Sequence, residues 1–265
     1  MPDIVVLIPH FNSLAGLNRS LASISAREPV DIIIVDDGSS EKPDEQDLIM
    51  RYPLIPGIFC IQLEHNQGIE HALNKGLAHI RSLHRHKYIA RLDCGDTCHP
   101  DRFRIQREFL DAHPDIYLAG TWTEFRDMEG RELFTVRYPV DAKTLRKKIY
   151  LNNMFNHPSV MFRAEAIEKI GYYPTTFKYA EDYAFFFSFV RHFETANIPQ
   201  VLTCYEVNPE GISLSKRRKQ IESRIRIILR NWQWGVYPVW GIIRSGLLYV
   251  MSYAMITKLK ETLYR

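Results

Sequence analysis

The sequence has few cysteines, and their spacing shows no disulfide framework. Cys60, Cys94, Cys98 and Cys204 are the only four in 265 residues, whereas small secreted domains carry paired cysteines at much higher density. Cys94, Cys98 and His99 lie close together, but no second ligand pair follows at the spacing of a zinc finger. We therefore expect a reducing compartment and no structural zinc site.

The chain also lacks the features of an exported or a nucleic-acid-binding protein. Its N-terminus enters an apolar strand pattern at once, without the charged region, long apolar stretch and cleavage site of a secretory signal. The formal net charge is only +3, too small to indicate nucleic acid as the partner. We expect a cytoplasmic protein, and the hydrophobic content of 46% suffices for one large domain, or one domain with an appendage.

The common loops that bind nucleotides are missing as well. A dinucleotide-binding protein would show a Gly-x-Gly-x-x-Gly turn after its first strand, because pyrophosphate approaches backbone amides there. This chain has Pro9-His10-Phe11-Asn12 at that place, and it has no Gly-Lys-Ser or Gly-Lys-Thr loop of the Walker type. Phosphate bound to this protein would therefore be neutralised by other means, such as a cation.

Short apolar runs alternate with helical patterns along the first half of the chain. The runs show no polar alternation, which is typical of strands covered on both faces. Strands are predicted at residues 4–8, 32–35, 57–63, 88–92 and 117–122, and helices at 14–24 and 69–83. This order predicts an α/β fold with a doubly wound sheet, whose binding crevice lies at the carboxyl ends of the strands.

Candidate ligand-binding residues follow each of the first four predicted strands. Closely spaced carboxylates such as Asp93 and Asp96 suit a hard cation that meets a phosphorylated substrate. The alternative for these two residues is an Asp-rich turn that caps the next helix. The candidates are Pro9, His10, Phe11 and Asn12 after the first strand, Asp36 and Asp37 after the second, Asn66 and Gly68 after the third, and Asp93 and Asp96 after the fourth.

Six motifs in this order resemble the family 2 inverting glycosyltransferases of GT-A fold that build bacterial surface polysaccharides. The motifs are Pro9-His10-Phe11-Asn12, Val35-Asp36-Asp37-Gly38-Ser39, Asn66-Gln67-Gly68 with Leu73-Asn74-Lys75-Gly76, Arg91-Leu92-Asp93-Cys94-Gly95-Asp96 with Pro100-Asp101-Arg102, His157-Pro158-Ser159-Val160-Met161-Phe162-Arg163, and Ala180-Glu181-Asp182-Tyr183. The resemblance implies a mixed sheet of the nucleotide-diphospho-sugar transferase type. It also implies a catalytic domain at 1–215, with the nucleotide sugar bound by residues 1–100 and the acceptor by 101–215.

The resemblance implies a set of residues that bind the nucleotide sugar. A carboxylate accepts a charge-assisted hydrogen bond from a uracil imide N–H, so either Asp36 or Asp37 could select a uridine donor. A helix-capping turn is the alternative for Asp37-Gly38-Ser39. The implied set is Pro9, His10, Phe11, Asn12, Asp36, Asp37, Asn66, Gly68, Asn74, Arg91 and Asp93.

The implied metal motif departs from the usual Asp-x-Asp-Asp of the family, because Gly95 stands at its third position. The resemblance assigns Asp96 as a ligand of Mn²⁺ or Mg²⁺, with Asp93 and His157 as further ligands. Loss of one carboxylate is expected to weaken the affinity for a hard cation. The ion would act as a Lewis acid on the departing diphosphate. A structural histidine is the alternative for His157.

The second half of the chain supplies the implied acceptor side. Asp182 matches the family's general base, which removes the proton of the acceptor hydroxyl, and Glu181 precedes it. Helix capping is the alternative role for both carboxylates. Trp122, Glu124 and His157 are further acceptor-side candidates, because an aromatic face suits the apolar surface of a sugar. A core position is the alternative for Trp122.

The C-terminal region, residues 216–265, is predicted as a basic amphipathic helix followed by an apolar helical segment over 236–256. Arg244 near the middle of that segment makes a membrane span costly, so we expect attachment of residues 216–257 to the inner face of the cytoplasmic membrane. A helical subdomain that packs on the catalytic core, or in a homo-oligomer, is the alternative. The basic residues are Lys216, Arg217, Arg218, Lys219, Arg224, Arg226 and Arg230.

These features predict an inverting, metal-dependent glycosyltransferase. It would move a hexose or N-acetylhexosamine from a UDP-sugar to a glycan or lipid-linked acceptor, in lipopolysaccharide, O-antigen or capsule synthesis. Gly95 makes a nucleotide-sugar-binding protein with little catalysis the first alternative. A nucleic-acid-binding protein that uses the basic helix at 216–230 is the second alternative, and nothing else in the sequence supports it.

Overall fold

The computed structural model describes residues 2–25, 27–208 and 216–251, and a sheet of nine strands forms the centre of this part of the chain. The predicted domain end at 209–215 and the segment 252–265 lie outside the described residues. The strands are β1 (Ile4–His10), β2 (Val30–Asp36), β3 (Gly57–Gln62), β4 (Tyr88–Arg91), β5 (Thr97–Cys98), β6 (Ile116–Arg126), β7 (Glu132–Val136), β8 (Met161–Arg163) and β9 (Glu194–Glu206).

Helices cover both faces of this sheet. Those found among the described residues are α1 (Leu14–Ala22), α2 (Glu45–Arg51), α3 (Ile69–Leu83), α4 (Arg102–Ala112), α5 (Ala142–Lys148), α6 (Ala166–Ile170), α7 (Glu181–His192), α8 (Arg217–Arg230) and α9 (Val236–Val250). A 3₁₀ turn at His157–Ser159 precedes β8.

The sheet is parallel in its first half and mixed in its second. The strand order is β3-β2-β1-β4-β8-β6-β9-β5, with β7 paired to β6. Strands β1 to β4 run parallel, and β8 runs antiparallel between β4 and β6. His10 pairs with Asp36, and Leu7 pairs with Arg91. The register therefore brings the ends of β1, β2 and β4 to one edge, as the sequence predicts.

Apolar residues on the two faces of β1 belong to two separate cores. Val5 and Leu7 pack in a cluster that includes α3 and α7, while Ile4, Val6 and Ile8 pack with residues of α1 and α4. Successive side chains of a strand point to opposite faces of the sheet. Because both faces of β1 are covered, its sequence is apolar at every one of these positions. A parallel strand buried on both faces needs no polar side.

The C-terminal helices continue the core of the second half. Ile227 and Ile228 of α8 are fully buried in the same cluster as Tyr150 and Phe187. The apolar stripe of the basic helix therefore packs on protein. For this helix, the structure agrees with the alternative of a helical subdomain that packs on the catalytic core. Across the described ranges, no helix is long and apolar enough to cross a membrane.

Candidate active site

Three residues from the first two strand ends form a buried hydrogen-bonded group. His10 Nδ1 lies 2.7 Å from Asp36 Oδ1, and the Ser39 hydroxyl donates to the same oxygen. The Ser39 backbone N–H donates to Asp36 Oδ2 at 3.1 Å. His10 and Asp36 are almost fully buried, so this group fixes the two turns against each other at the edge of the sheet.

Asp37 connects the second turn to the loop before α3. Its two carboxylate oxygens accept backbone N–H bonds from Gln67 and Gly68, both at 2.9 Å. Gly38 follows with φ +75°, and a Cβ there would lie 2.5 Å from the backbone of His65, so only glycine fits this approach. Asp36 and Asp37 thus have scaffold roles, and their contact with a nucleobase stays a prediction.

Other predicted nucleotide ligands at this edge are more open. The Phe11 ring is 46% exposed, and a flat base can stack on it. Asn12 has a φ of 48°, and its Oδ1 accepts the Ser40 backbone N–H at 2.9 Å. Asn66 is exposed, and Pro9 is half-buried at the end of β1. Phe11 and Asn66 therefore offer surface to a ligand.

The side chain of Asn74 is hydrogen-bonded to the loop that contains Tyr173. Its side chain accepts the Tyr173 backbone N–H at 2.8 Å and donates to the Tyr173 carbonyl at 2.9 Å. The Tyr173 hydroxyl lies 2.8 Å from His157 Nε2. Asn74 therefore holds Tyr173 beside His157, and a direct contact of Asn74 with the nucleotide sugar stays a prediction.

Arg91 is fully buried beneath the Asp-rich turn. Its guanidinium donates to the Leu7 carbonyl, to Asp93 Oδ1 and, at 3.4 Å, to His157 Nε2. A direct contact of Arg91 with the nucleotide sugar stays a prediction. Arg91 orients the carboxylate of Asp93, whose side chain is partly exposed.

The turn from Asp93 to Asp96 is held from two sides. The Ser20 hydroxyl of α1 donates to the Asp96 carbonyl at 2.8 Å and accepts the Gly95 N–H at 3.0 Å. The backbone N–H of Glu206, the last residue of β9, donates to Asp96 Oδ1 at 2.9 Å. Asp96 Oδ2 is buried and has no hydrogen-bond partner.

The electrostatics of Asp96 favour a cation. Burial raises the pKa of Asp96 well above its ordinary value, and the charges of Asp93 and Glu206 raise it further. A carboxylate in this setting is stabilised when a positive charge reaches it. Magnesium is usually held by one or two carboxylates together with substrate phosphates. Asp96 and Asp93 therefore fit a divalent ion that completes its shell with diphosphate oxygens.

The predicted three-ligand set of Asp93, Asp96 and His157 is not assembled in the structure. Within residues 2–25, 27–208 and 216–251, no three His, Cys, Asp or Glu side chains are placed to hold an ion. Burial, followed by the charge of Arg91, lowers the pKa of His157 to about 3. His157 Nε2 contacts Arg91 and the Tyr173 hydroxyl in this structure, and its metal role stays a prediction.

Two carboxyl groups begin α7 on the acceptor side. Asp182 accepts hydrogen bonds from Asn153 Nδ2 at 2.8 Å and from the Tyr183 backbone N–H at 2.7 Å. Burial raises the pKa of Asp182, and these two bonds oppose that rise. Glu181 Oε2 is buried without a partner, and burial together with the Asp182 charge raises the pKa of Glu181 to about 8. Glu181 therefore carries a proton at neutral pH, and Asp182 is the better candidate for the ionised group.

The two strand residues predicted on the acceptor side have partners within the protein. Trp122 Nε1 donates to the Tyr138 carbonyl at 3.0 Å, and Arg137 lies 5.7 Å from the centre of its ring. Glu124 forms an ion pair with Arg126. Both residues lie on β6 and are half-buried, and their contact with an acceptor stays a prediction.

Several residues that shape the site carry no sequence motif. Ser20 lies inside α1, and Tyr173 lies in the loop before α7. Arg19 and Glu206, which form an ion pair, are 187 positions apart. Only the folded sheet brings such residues to the Asp-rich turn, so local spacing gives no signal for them.

Comparisons with known proteins agree with the fold. The sequence model described as Glycosyl transferase family 2 matches residues 5–171, more than half of the chain. The chain therefore belongs to glycosyl transferase family 2.

Two curated relatives cover most of the chain. The amylovoran biosynthesis glycosyltransferase AmsE of Erwinia amylovora is 27% identical over 198 residues, which is 74% of this chain and 72% of that protein. The UDP-Gal:alpha-D-GlcNAc-diphosphoundecaprenol beta-1,3-galactosyltransferase of Escherichia coli is 28% identical over 214 residues, 79% of this chain and 74% of its own length.

Solved structures share the GT-A fold with this chain. S. aureus TarS 1–349 in complex with UDP-GlcNAc matches with a TM-score of 0.64 and 18% identity, over 94% of this chain and 70% of that one. The chain spans only 44% of a longer TarS structure. The Pyrobaculum calidifontis mannosyltransferase in complex with GDP-Man and Mn²⁺ matches with a TM-score of 0.63 and 16% identity, over 99% of this chain and 79% of that one. These likenesses confirm the predicted GT-A architecture.

Proposed function

We propose that this chain is an inverting glycosyltransferase that moves a hexose or N-acetylhexosamine from a UDP-sugar to a glycan acceptor in surface polysaccharide synthesis. The observation that carries the proposal is the pairing of two carboxylate groups across the crevice. Asp93 of the metal-side turn lies close enough to raise the pKa of both Glu181 and Asp182. One group suits a diphosphate with its cation, and the other suits the acceptor hydroxyl.

The donor end of the crevice fits a uridine nucleotide. The exposed Phe11 ring would stack on the base, and Asn12 and Asn66 offer amide groups beside it. The buried group of His10 and Asp36 keeps these turns in place before the donor arrives. Two findings on other proteins support a UDP-sugar: the E. coli relative is named for UDP-Gal, and TarS has been solved with UDP-GlcNAc.

Asp182 is the proposed general base. In an inverting transfer, the acceptor oxygen bonds to the anomeric carbon while the bond from that carbon to the diphosphate oxygen breaks. The acceptor proton passes to the Asp182 carboxylate, and the electron pair of the broken bond leaves with UDP. The hydrogen bonds from Asn153 and Tyr183 favour the charged form of Asp182 and orient its carboxylate. The protonated Glu181 can donate a hydrogen bond to the acceptor sugar or to the donor.

The remaining acceptor-side roles rest on position. Trp122 and Glu124 lie on one strand, two residues apart, so they share a face of β6. The Trp122 ring offers a sugar an apolar face. His157 contacts Arg91 and the Tyr173 hydroxyl through Nε2. Its neutral ring adds no positive charge between the two carboxylate groups.

A divalent cation, Mn²⁺ or Mg²⁺, is the proposed cofactor. Asp96 would hold it through the buried oxygen that has no protein partner, and Asp93 would add a second carboxylate. When bound, the ion neutralises charge on the departing diphosphate. Arg91 fixes the carboxylate of Asp93 in the orientation this requires.

The most economical test is a thermal-shift panel of nucleotide sugars, measured with and without Mn²⁺. Binding to the folded state alone raises the melting temperature by mass action. We expect stabilisation by one or more UDP-sugars, and a larger shift when Mn²⁺ is present. The absence of a shift with every donor would contradict the proposal.

A nucleotide-sugar-binding protein with little catalysis is the second candidate function, which Gly95 favours because the motif lacks one carboxylate. The two candidates differ in the consequence of replacing Asp182. An enzyme loses turnover and keeps donor binding, whereas a binding protein has no turnover to lose.

We also propose that α9 rests on an anionic lipid surface at the inner face of the cytoplasmic membrane, where a lipid-linked acceptor would be presented. Its inner face consists of the small buried residues Pro238, Gly241 and Ser245. Its outer face is apolar, with Trp240 52% exposed, and Trp234 just before it is 92% exposed. Aromatic residues favour the headgroup boundary, and the basic residues of α8 nearby suit anionic lipid. The E. coli relative is named for a diphosphoundecaprenol-linked substrate.

A further inference from the structure

The loop that follows α5 links the C-terminal helices to the proposed general base. Asn153 in this loop donates through Nδ2 to Asp182 Oδ2 at 2.8 Å. Two residues earlier, the Leu151 carbonyl accepts hydrogen bonds from Arg224 of α8 at 3.0 Å and from Arg244 of α9 at 2.8 Å. The segment 151–153 therefore connects two arginines of the helix pair to the carboxylate of Asp182.

The helix pair formed by α8 and α9 packs closely against this loop. A Cβ on Gly241 of α9 would collide with the Tyr150 carbonyl oxygen, so the crossing requires a glycine. The Tyr150 hydroxyl donates to the carbonyl of Asn231, directly after α8, at 2.7 Å. The Ser223 hydroxyl of α8 donates to the Lys178 carbonyl, shortly before α7, at 3.0 Å. These contacts fix α8 relative to both the loop and α7.

Arg224 also contacts the residue that follows the base. The guanidinium carbon of Arg224 lies over the ring of Tyr183, 5.0 Å from its centre. The Tyr183 hydroxyl in turn donates to the Ile149 carbonyl at 2.6 Å. Arg224 is therefore in contact with the next residue after Asp182 and with the loop that carries its side-chain donor.

From these contacts we propose that Arg224 is a positioning residue for the general base, which fixes the loop that orients Asp182 and places a positive charge near its carboxylate. This inference rests on the proposed function, because it concerns the base of the same site. It makes the C-terminal helix pair part of the catalytic unit, in addition to the proposed contact of α9 with lipid.

The electrostatics around Asp182 agree with this role. Burial has the largest effect on Asp182 and raises its pKa. The Tyr183 N–H, the charge of Arg224 and the Asn153 amide lower this pKa, and the charge of Asp93 raises it. Because a nearby opposite charge favours the ionised form, Arg224 offsets part of the cost of burying the base. Further titratable groups in this part of the site are Glu70, Tyr173, Glu181 and Tyr205.

A purely structural use explains the charge of Arg224 less well. Its Nε is buried and has no hydrogen-bond partner, and a buried polar atom without a partner costs stability. Without Arg224, the Leu151 carbonyl would keep its bond from Arg244. An unbranched apolar side chain could cover the Tyr183 ring at lower cost, so the fold alone does not require a guanidinium here.

The first test follows the ionisation of Asp182 in the full chain, by ¹³C NMR of protein labelled at the aspartate carboxyl carbons. The signal of Asp182 is assigned by its loss in Asp182→Asn. We expect Arg224→Met to move this titration to higher pH, while Arg224→Lys keeps it near that of the unmodified protein. Arg191→Met is the matched control, because Arg191 also joins α7 to the end of α8, through Asn231 Oδ1 at 2.9 Å.

The second test measures turnover of the same variants as UDP release with α-linked UDP-sugars and lipid-linked sugar diphosphates. Arg224→Met should lower kcat by about tenfold at neutral pH. The deficit should shrink as the pH rises, because Asp182 then ionises without the arginine. The KM for the donor and the melting temperature should match those of Arg191→Met, and Arg224→Lys should regain most of the rate.

The contrary results can be told apart. Equal titration of Asp182 in Arg224→Met and Arg191→Met would overturn the assignment. A loss of turnover in Arg224→Met that comes with a lower melting temperature, and is not regained in Arg224→Lys, would assign Arg224 to the fold alone. Absence of transfer by the unmodified protein with every donor would reject the proposed function, whereas the NMR titration would still decide whether Arg224 acts on Asp182.

Discussion

Two pairs of buried carboxyl groups in this molecule have opposite surroundings. At the donor end, every carboxylate oxygen of Asp36 and Asp37 accepts at least one hydrogen bond from a protein group. At the reacting end, Asp96 Oδ2 and Glu181 Oε2 are buried without a partner. The first pair satisfies its own charge and holds the turns together, whereas the second pair keeps oxygens available for a cation or a proton.

Buried carboxyl groups therefore have two different roles along the same edge of the sheet, depending on whether their oxygens have hydrogen-bond partners. A buried carboxylate with complete hydrogen bonding stabilises its surroundings, and one that lacks partners costs stability until a ligand or a proton compensates it. Substitutions should therefore have opposite effects on stability in the two pairs.

The largest effect is expected at Asp182. Asp182→Asn keeps the size of the side chain and one acceptor oxygen but cannot take the acceptor proton, so UDP release in the presence of acceptor should fall by about 10²–10⁴-fold. Binding of the UDP-sugar, followed by thermal shift, should be unchanged. Asp141→Asn is the matched control, because Asp141 also begins a helix and caps it through the Thr144 N–H. Equal turnover in both variants would contradict the assignment of the base.

The difference between the two pairs is tested most directly by the stabilities of Asp36→Ala and Asp96→Asn, measured by urea unfolding without metal. Asp36→Ala leaves His10 and Ser39 without their shared acceptor, and it should lower the free energy of unfolding by about 3 kcal/mol. Asp96→Asn keeps the bond from Glu206 and removes a repelled buried charge, so stability should rise by about 1 kcal/mol. Destabilisation of similar size in both variants would remove the distinction between the two pairs.

A pH series tests the proton on Glu181. Its pKa is raised from the ordinary 4.5 to about 8, so the folded state binds this proton more tightly than the unfolded state. The stability contributed by the protonated group is complete below pH 4.5 and is lost as the pH rises through 8.

The variant Glu181→Gln lacks this titration. Its stability relative to the unmodified protein should therefore increase with pH across that interval, as measured by urea unfolding. Glu168→Gln, at an exposed position of α6, should show no such trend. A flat difference between Glu181→Gln and the unmodified protein from pH 5 to pH 8 would place the proton elsewhere.

The smallest effect is expected at the exposed face of α9. Truncation before Lys216 would remove Ile227 and Ile228 from the core, so surface substitutions are the better probe. Trp240→Glu should reduce flotation with vesicles that contain anionic lipid, because the charged side chain cannot enter the headgroup boundary. Met50→Glu is the control, since Met50 is 75% exposed on α2.

A second copy of the chain could also cover this face. A loss of dimer in Trp240→Glu, with unchanged flotation, would assign the face to self-association instead of lipid. Equal flotation of Trp240→Glu, Met50→Glu and the unmodified protein would likewise contradict the lipid proposal.

Local pattern was sufficient to predict the first half of the fold. The strands at β1 to β4 and the helix α3 follow from apolar runs and helical spacing, and α3 has the predicted bounds of 69–83. The antiparallel β8 has only three residues, too few for a periodic signal. Its place between β4 and β6 depends on tertiary pairing that no local pattern encodes.

The sequence predicts the site residues that lie within a motif. It does not predict the residues that reach a motif from distant parts of the chain. The Asp-rich turn is visible as a motif, but the Ser20 and Glu206 bonds that hold it come from α1 and β9. The burial of His157 beside Arg91 cannot be read from a histidine before a proline, and its metal role stays a prediction. Likewise, the amphipathic pattern of α8 could not reveal whether its apolar stripe would meet protein or lipid.

The most direct test of the central claim is the stereochemistry of transfer. The protein is incubated with Mn²⁺, a panel of α-linked UDP-sugars and lipid-linked sugar diphosphates, and the anomeric configuration of the product is read by NMR. The account predicts a β-linked product and release of one UDP for each sugar transferred. An α-linked product, or UDP release without any transfer, would contradict it.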